Sequence, residues 1–142
     1  LGQAERNAAR NGLGGRITVR LGEALEMLES LAAEGRRFTH VVVDPPAMVK
    51  RRTEWERSVR RRFVALAGLA LRLLEAGGLL FFSSCAYPVG LEDLIEALRL
   101  GAADAGCRLL VREVTYQPPD HPWVLQIPET LYLKTLIVEK SG

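Results

Sequence analysis

The chain has 142 residues, 48% of them hydrophobic and 25% charged, with a formal net charge of +2. These proportions suit one compact domain with its own core, and they exclude a disordered, collagen-like or disulfide-stapled chain. No apolar run approaches the roughly 18 residues that span a bilayer. The N-terminus lacks the basic-then-apolar pattern of a secretory signal, so a soluble, cytoplasmic protein is expected.

The sequence opens without Met and already inside a helical pattern, so it is expected to be one piece of a longer protein. Ala4, Ala8, Ala9 and Leu13, with Asn11-Gly12 as a stop, predict a first helix ending near Arg10. Ile17-Thr18-Val19-Arg20-Leu21, bounded by glycines, predicts a strand. Leu25, Leu28 and Leu31 predict a helix up to Gly35, and Thr39 to Val43 predict a strand stopped by Asp44-Pro45-Pro46. From Trp55 to Leu74 a long helix carries Val59, Phe63, Leu66, Ala70 and Leu73 as its apolar stripe, with Gly77-Gly78 as its end. The continuous apolar run Leu79 to Phe82, leading through Ser83-Ser84 to Cys85, suits a strand buried on both faces. Leu91, Leu94, Ile95 and Leu98 predict a helix closed by Ala105-Gly106. Arg108 to Tyr116 and Leu131 to Val138 then read as two strands joined by a proline-rich segment.

Strands alternating with helices of this length predict a single α/β unit over residues 1–142, with a mostly parallel sheet and helices on both faces. The last two strands have no helix between them and are expected to pair antiparallel at an edge. Ligands of open α/β sheets sit beyond the carboxyl ends of the strands. That rule selects Gly22-Glu23-Ala24, Asp44-Pro45-Pro46 and Ser84-Cys85-Ala86.

Each of these tips has a chemical and a structural reading. Asp44 stands at a strand end on a stiff backbone whose carbonyls suit a planar amino-bearing ring, and it equally suits a turn cap before two strand-stopping prolines. Cys85 is placed for a nucleophile, since a partly accessible thiol is able to react as thiolate, although a single cysteine of an α/β domain is more often a small apolar filler. Cys107, far from any strand tip, reads as filler. Glu23 offers a carboxylate to a ligand or simply an acid at a helix N-terminus. His121 offers an acid–base side chain, or else reads as a plain surface-loop residue. Neither His40 nor His121 has a partner at metal-ligand spacing, so no metal is expected. Lys50 to Arg62 holds seven basic and two acidic residues, a local +5 that leaves the remainder at −3. Lys50, Arg51, Arg52, Arg60 and Arg61 are therefore candidate phosphate contacts, or else one solvated, internally paired helix face.

Together these residues resemble the class I S-adenosylmethionine-dependent methyltransferases, and among them the bacterial 23S ribosomal RNA cytosine-C5 methyltransferases that carry a PUA domain. The resemblance runs through Asn7 to Leu13, Gly22-Glu23-Ala24, Val43 to Ala47, Leu74 to Leu80, Ser83-Ser84-Cys85, Pro119 to Pro122 and Pro128 to Lys134. It implies the C-terminal portion of a Rossmann-like methyltransferase domain, N-terminally incomplete, with Cys85 as nucleophile and Asp44 as the acid that binds the base. It further implies Glu23, Ala24, Asp44 and Pro45 at the cofactor, Pro46 and Tyr87 at the target base, and large-subunit ribosomal RNA as partner, with homodimerisation left open. The family's glycine-rich cofactor loop and ribose-binding acid fall outside these residues, so the chain alone is expected to be inactive. Ala86, Met48 and Thr135 depart from the family pattern, as does Glu23 where relatives carry Asp. Two alternatives follow from the same residues: an exocyclic-amino methyltransferase using Asp44-Pro45-Pro46 with Cys85 a spectator, and an RNA-binding remnant without chemistry.

Overall fold

A computed structural model of the chain describes residues 2–47 and 49–141, with Arg57 described by its backbone alone. Met48 therefore lies outside the described residues. The elements are α1 (Gly2–Arg10), α2 (Ala24–Ala33), β1 (Phe38–Val43), α3 (Arg52–Glu54), a π-helical turn (Trp55–Val59), α4 (Arg60–Leu73), β2 (Leu74–Ser84), α5 (Leu91–Ala105), β3 (Arg108–Tyr116), a 3-10 turn (Pro128–Thr130) and β4 (Lys134–Ser141).

The sheet has the order β1-β2-β4-β3. β1 pairs parallel with β2, and β4 runs antiparallel to both of its neighbours, β2 and β3. Three of the four strands thus share one direction, and the expected antiparallel pair of β3 and β4 closes one side of the sheet with β4 as its inner member. Leu80 and Phe82 on β2, with Leu136 and Val138 on β4, are at most 1% exposed. They face the helices, because alternate residues of a strand share a side.

Against that face lie α4 and α5. Phe63 sits between Trp55, ring centroids 5.0 Å apart, and Phe82, 5.9 Å apart, both edge-to-face. Such contacts favour the positive ring edge against the negative ring face. The predicted stripe Val59, Phe63, Leu66, Ala70 and Leu73 is buried throughout. α4 and α5 cross where Gly68 meets Gly101: a Cβ on Gly101 would stand 2.7 Å from the Gly68 nitrogen and 2.8 Å from Cβ of Ala67. Lys140 closes the end of α4 by donating to the carbonyls of Leu71 and Leu74, each at 2.8 Å. This satisfies acceptors that a helix C-terminus leaves unpaired.

Several sequence expectations need correction. The strand at Ile17–Leu21 does not form, and Ile17 and Leu21 are 48% and 83% exposed. β propensity creates a strand only where another backbone supplies the ladder, and β1 pairs among the described residues with β2 alone. The long helix starts three residues before Trp55 and relaxes into a π turn over Trp55–Val59. It stops at Leu73 rather than Gly77, because Leu74 already pairs with Phe38 and the ladder resumes at His40 and Leu79. The intervening residues bulge, and Gly77 takes a φ of 77° there. β4 begins at Lys134, after a loop held by the Gln117 side chain, which donates to the carbonyls of His121 and Thr130 and accepts from the Tyr132 and Leu133 amides. Among the described residues α4 and α5 pack against the sheet and against each other, and α2 packs on α4, so these helices share one face rather than lying on both.

The helix crossing gives a direct check. Gly101→Ala is expected to destabilise the fold by about 1–3 kcal/mol, since backbone rather than a flexible side chain receives the added methyl. A fall in the urea midpoint at unchanged slope is the expected result.

Candidate functional site

The register between β1 and β2 decides what stands together at the sheet's edge. Val43 is opposite Phe82, so β1 leaves the sheet at Asp44 while β2, about 4.8 Å away, runs on through Ser83 and Ser84 to Cys85. Pro45 and Pro46 have no N–H to donate, which stops β1 and frees acceptors at its tip. Asp44 is exposed and makes no side-chain hydrogen bond among the described residues.

Beside this tip opens a cleft of about 820 Å³ between the start of α2, the end of β1 and the flank of α4. Glu23, Ala24, Asp44, Pro45 and Pro46 line it together, over an apolar wall that includes Leu28, Val43 and Leu66. Five of the sequence-selected residues are thereby gathered in one place. Glu23 precedes α2, but its carboxylate does not cap the helix. It bonds Arg62 across the cleft at 2.6 Å.

Cys85 is half-buried and free, and it is not part of the cleft lining. The Ser84 hydroxyl accepts the Ala86 N–H at 3.3 Å, which shapes the bend just after the strand. Tyr87, two residues on, is 47% exposed. One neighbour of Cys85 enters the sequence reading only as the end of the Pro128 to Lys134 stretch, with no role of its own. Lys134, opposite Ser84 in the β2–β4 ladder, is 5% exposed, and its Nζ donates to the Ala86 carbonyl at 2.8 Å. Burial pushes its ammonium below the usual lysine range, and the negative charges available at Cys85 and Asp93 oppose that shift. Its alternation with Leu136 and Val138 is a legible signal, a lysine at a core-facing position of a strand. Cys107 also leans on the core, and burial pushes its thiol up, which suits the filler reading.

The basic patch is only partly free. Arg52 binds Asp93 and the Pro88 carbonyl, and Arg60 grips Glu96 through two bonds of 3.1 and 2.7 Å. Both side chains, selected as phosphate contacts, instead tie the start of the long helix to α5. Asp93 also accepts the Gly90 N–H at 2.7 Å and so closes the N-terminus of α5. Lys50, Arg51 and Arg61 are exposed and form no ion pair with a described residue. The amides of Lys50 and Arg51 do bond the Glu54 carboxylate, which holds its pKa below the usual range. His121 lies on the distant loop beside Asp120, at 3.3 Å. Among the described residues no cluster of three His, Cys, Asp or Glu is placed to hold a metal, and no helix is long and apolar enough to cross a membrane.

The chain is similar to several known proteins. SMU.776, a methyltransferase candidate complexed with SAH, superposes on 84% of the chain with a TM-score of 0.69 at 16% identity, and the match covers 30% of that protein. TrmN from Thermus thermophilus matches 98% of the chain and 32% of its own length, with a TM-score of 0.61 at 18% identity. The chain has a methyltransferase fold. In sequence it is 32% identical over 112 residues to ribosomal RNA large subunit methyltransferase I of Yersinia pseudotuberculosis and of Yersinia pestis, which covers 79% of the chain. The chain spans 28% of the length of these relatives. No family model matches the sequence.

Asp93 serves packing, so Asp93→Ala is expected to lower stability by about 1–2 kcal/mol through loss of the cap and the Arg52 bond. Denaturant titration reads this directly. An unchanged midpoint would contradict the structural role assigned to Arg52.

Proposed function

We propose that the chain is the C-terminal part of the catalytic domain of an S-adenosylmethionine-dependent methyltransferase that modifies C5 of a cytosine in large-subunit ribosomal RNA. The observation that carries this reading is the β1–β2 register, which sets Asp44, unpaired among the described residues, beside the end of β2 that leads into Cys85. The sequence likeness to ribosomal RNA large subunit methyltransferases supports the substrate class.

The cleft residues fit the cofactor. Leu28, Val43 and Leu66 give an apolar wall for a ring, while Asp44 and the proline-freed acceptors offer polar contacts at its rim, with Glu23 and Ala24 at the opposite lip. Bound there, S-adenosylmethionine supplies an electrophilic methyl group. Cytosine C5 is a poor nucleophile until the ring's aromaticity is broken. The Cys85 thiolate does this by adding to C6, forming an S–C bond and moving the electron pair toward C5. Asp44 bonds the N3/N4 edge of the base and balances charge as the thiolate adds. Loss of the C5 proton after methylation restores the double bond and expels Cys85 as thiolate. Access of a thiol to the ring face requires an unstacked base, which Tyr87, exposed two residues away, is placed to receive by stacking. Lys50, Arg51 and Arg61 supply the phosphate contacts.

One observation favours a second reading: the cleft takes in Asp44-Pro45-Pro46 and leaves Cys85 out. That arrangement suits methylation of an exocyclic amino group without a covalent adduct. Release of tritium from C5-tritiated cytosine separates the two. The enzyme, extended upstream to its natural start, is expected to release tritium in step with methyl transfer. Cys85→Ala is expected to abolish both, and Asp44→Asn to slow both by about 10²–10³-fold. Methyl transfer without tritium release would establish amino methylation instead. Lys50→Ala is expected to weaken RNA binding and to lower the slope of log affinity against log salt by about one.

A further inference from the structure

The reaction proposed above leaves the buried Lys134 without a task. Lys134 alternates with Leu136 and Val138, each 1% exposed, and so points into the helix-covered side of the sheet. An ammonium carries three donors, yet the structure gives this one a single acceptor, the Ala86 carbonyl at 2.8 Å. No carboxylate lies within ion-pair distance of it among the described residues. A cation taken out of water without a counter-charge is costly, so a lysine at this depth implies an anion in its working state. Two ionisable groups act on it, Cys85 at the end of β2 and Asp93 on α5. Asp93 is already engaged by Arg52 of α3 and by the Gly90 amide. Cys85 immediately precedes the carbonyl that anchors Nζ and has no charged hydrogen-bond partner among the described residues.

We propose that Lys134 is the positioning residue for Cys85, its ammonium anchored on the Ala86 carbonyl as the fixed counter-charge to the anionic form of the sulfur. This rests on the reading of Cys85 as nucleophile. The thiol proton passes to solvent and Nζ keeps its three protons throughout, so no bond to Lys134 forms or breaks. When Cys85 adds to the ring carbon its negative charge moves into the base. When it leaves, the charge returns beside Nζ, so Lys134 favours both the attacking and the departing form of the sulfur.

The test is peptide-resolved alkylation of the folded, upstream-extended enzyme with iodoacetamide at pH 7, with Cys107 of the same molecule as internal reference. Cys85 is expected to react at least tenfold faster than Cys107. In Lys134→Met the Cys85 rate is expected to fall at least tenfold and its pH profile to move upward, with Cys107 unchanged, while Lys134→Arg regains most of the rate. A merely structural lysine would affect both thiols alike and would not be rescued by arginine. Should Lys134→Met fail to fold, the wild-type rates and Lys134→Arg still decide. Wild-type Cys85 reacting no faster than Cys107, or unchanged by loss of the Lys134 charge, overturns the proposal. Methylation that survives Cys85→Ala overturns the nucleophile reading instead, whatever the alkylation rates show.

Discussion

Parallel pairing of β1 with β2 is the constraint on which the rest of the molecule depends. His40 to Val43 against Leu79 to Phe82 forms an unbroken ladder, and its register alone sets which residues emerge together at the tip. A slip of one residue would turn Phe82 away from Phe63 and send Leu80 to the uncovered side of the sheet. The core therefore enforces the site: the aromatic stack of Trp55, Phe63 and Phe82 fixes β2 against the long helix. Fixing β2 fixes Cys85 relative to Asp44. Stability and candidate chemistry are two consequences of one register.

Charge in this chain is divided between packing and solvent in a way that counting does not show. Seven basic residues between Lys50 and Arg62 suggest a single cationic surface. Three of them reach carboxylates far along the chain: Arg52 reaches Asp93, Arg60 reaches Glu96, and Arg62 reaches Glu23. Two of these bonds join the start of the long helix to α5, and the third spans the mouth of the cleft. The third contact is exposed and so is readily exchanged for a ligand group. A bound ligand at Glu23 would have to compete with Arg62.

Elements were legible where periodicity and punctuation agree. α2, β1, α5 and β3 stand within a residue or two of where Leu25–Leu31, the Asp44-Pro45-Pro46 stop, Gly106 and the run from Arg108 to Tyr116 place them. Gly106 adopts the left-handed conformation, with a φ of 65°, that ends a helix. What failed was whatever depends on a distant neighbour. Ile17–Leu21 has strand composition but pairs with no strand among the described residues, and the π turn at Trp55–Val59 carries no spacing that separates it from an ordinary helical turn. The sequence points to three strand tips, and the cleft gathers two of them. Lys134 was visible in principle, as a charged residue in phase with Leu136 and Val138. Its partner was not, because only the β2–β4 ladder brings it to Ala86.

The central claim is that Cys85 attacks the target base, and a covalent adduct tests it most directly. The enzyme with its natural N-terminus, ribosomal RNA containing 5-fluorocytosine, and S-adenosylmethionine are combined and the product is read by intact mass. Fluorine at C5 leaves no proton to remove, so the thiolate cannot depart. An enzyme–RNA adduct is expected in the wild type and is expected to be absent in Cys85→Ala. Equal absence from both, with RNA and cofactor binding demonstrated, would contradict it and leave Cys85 a structural residue.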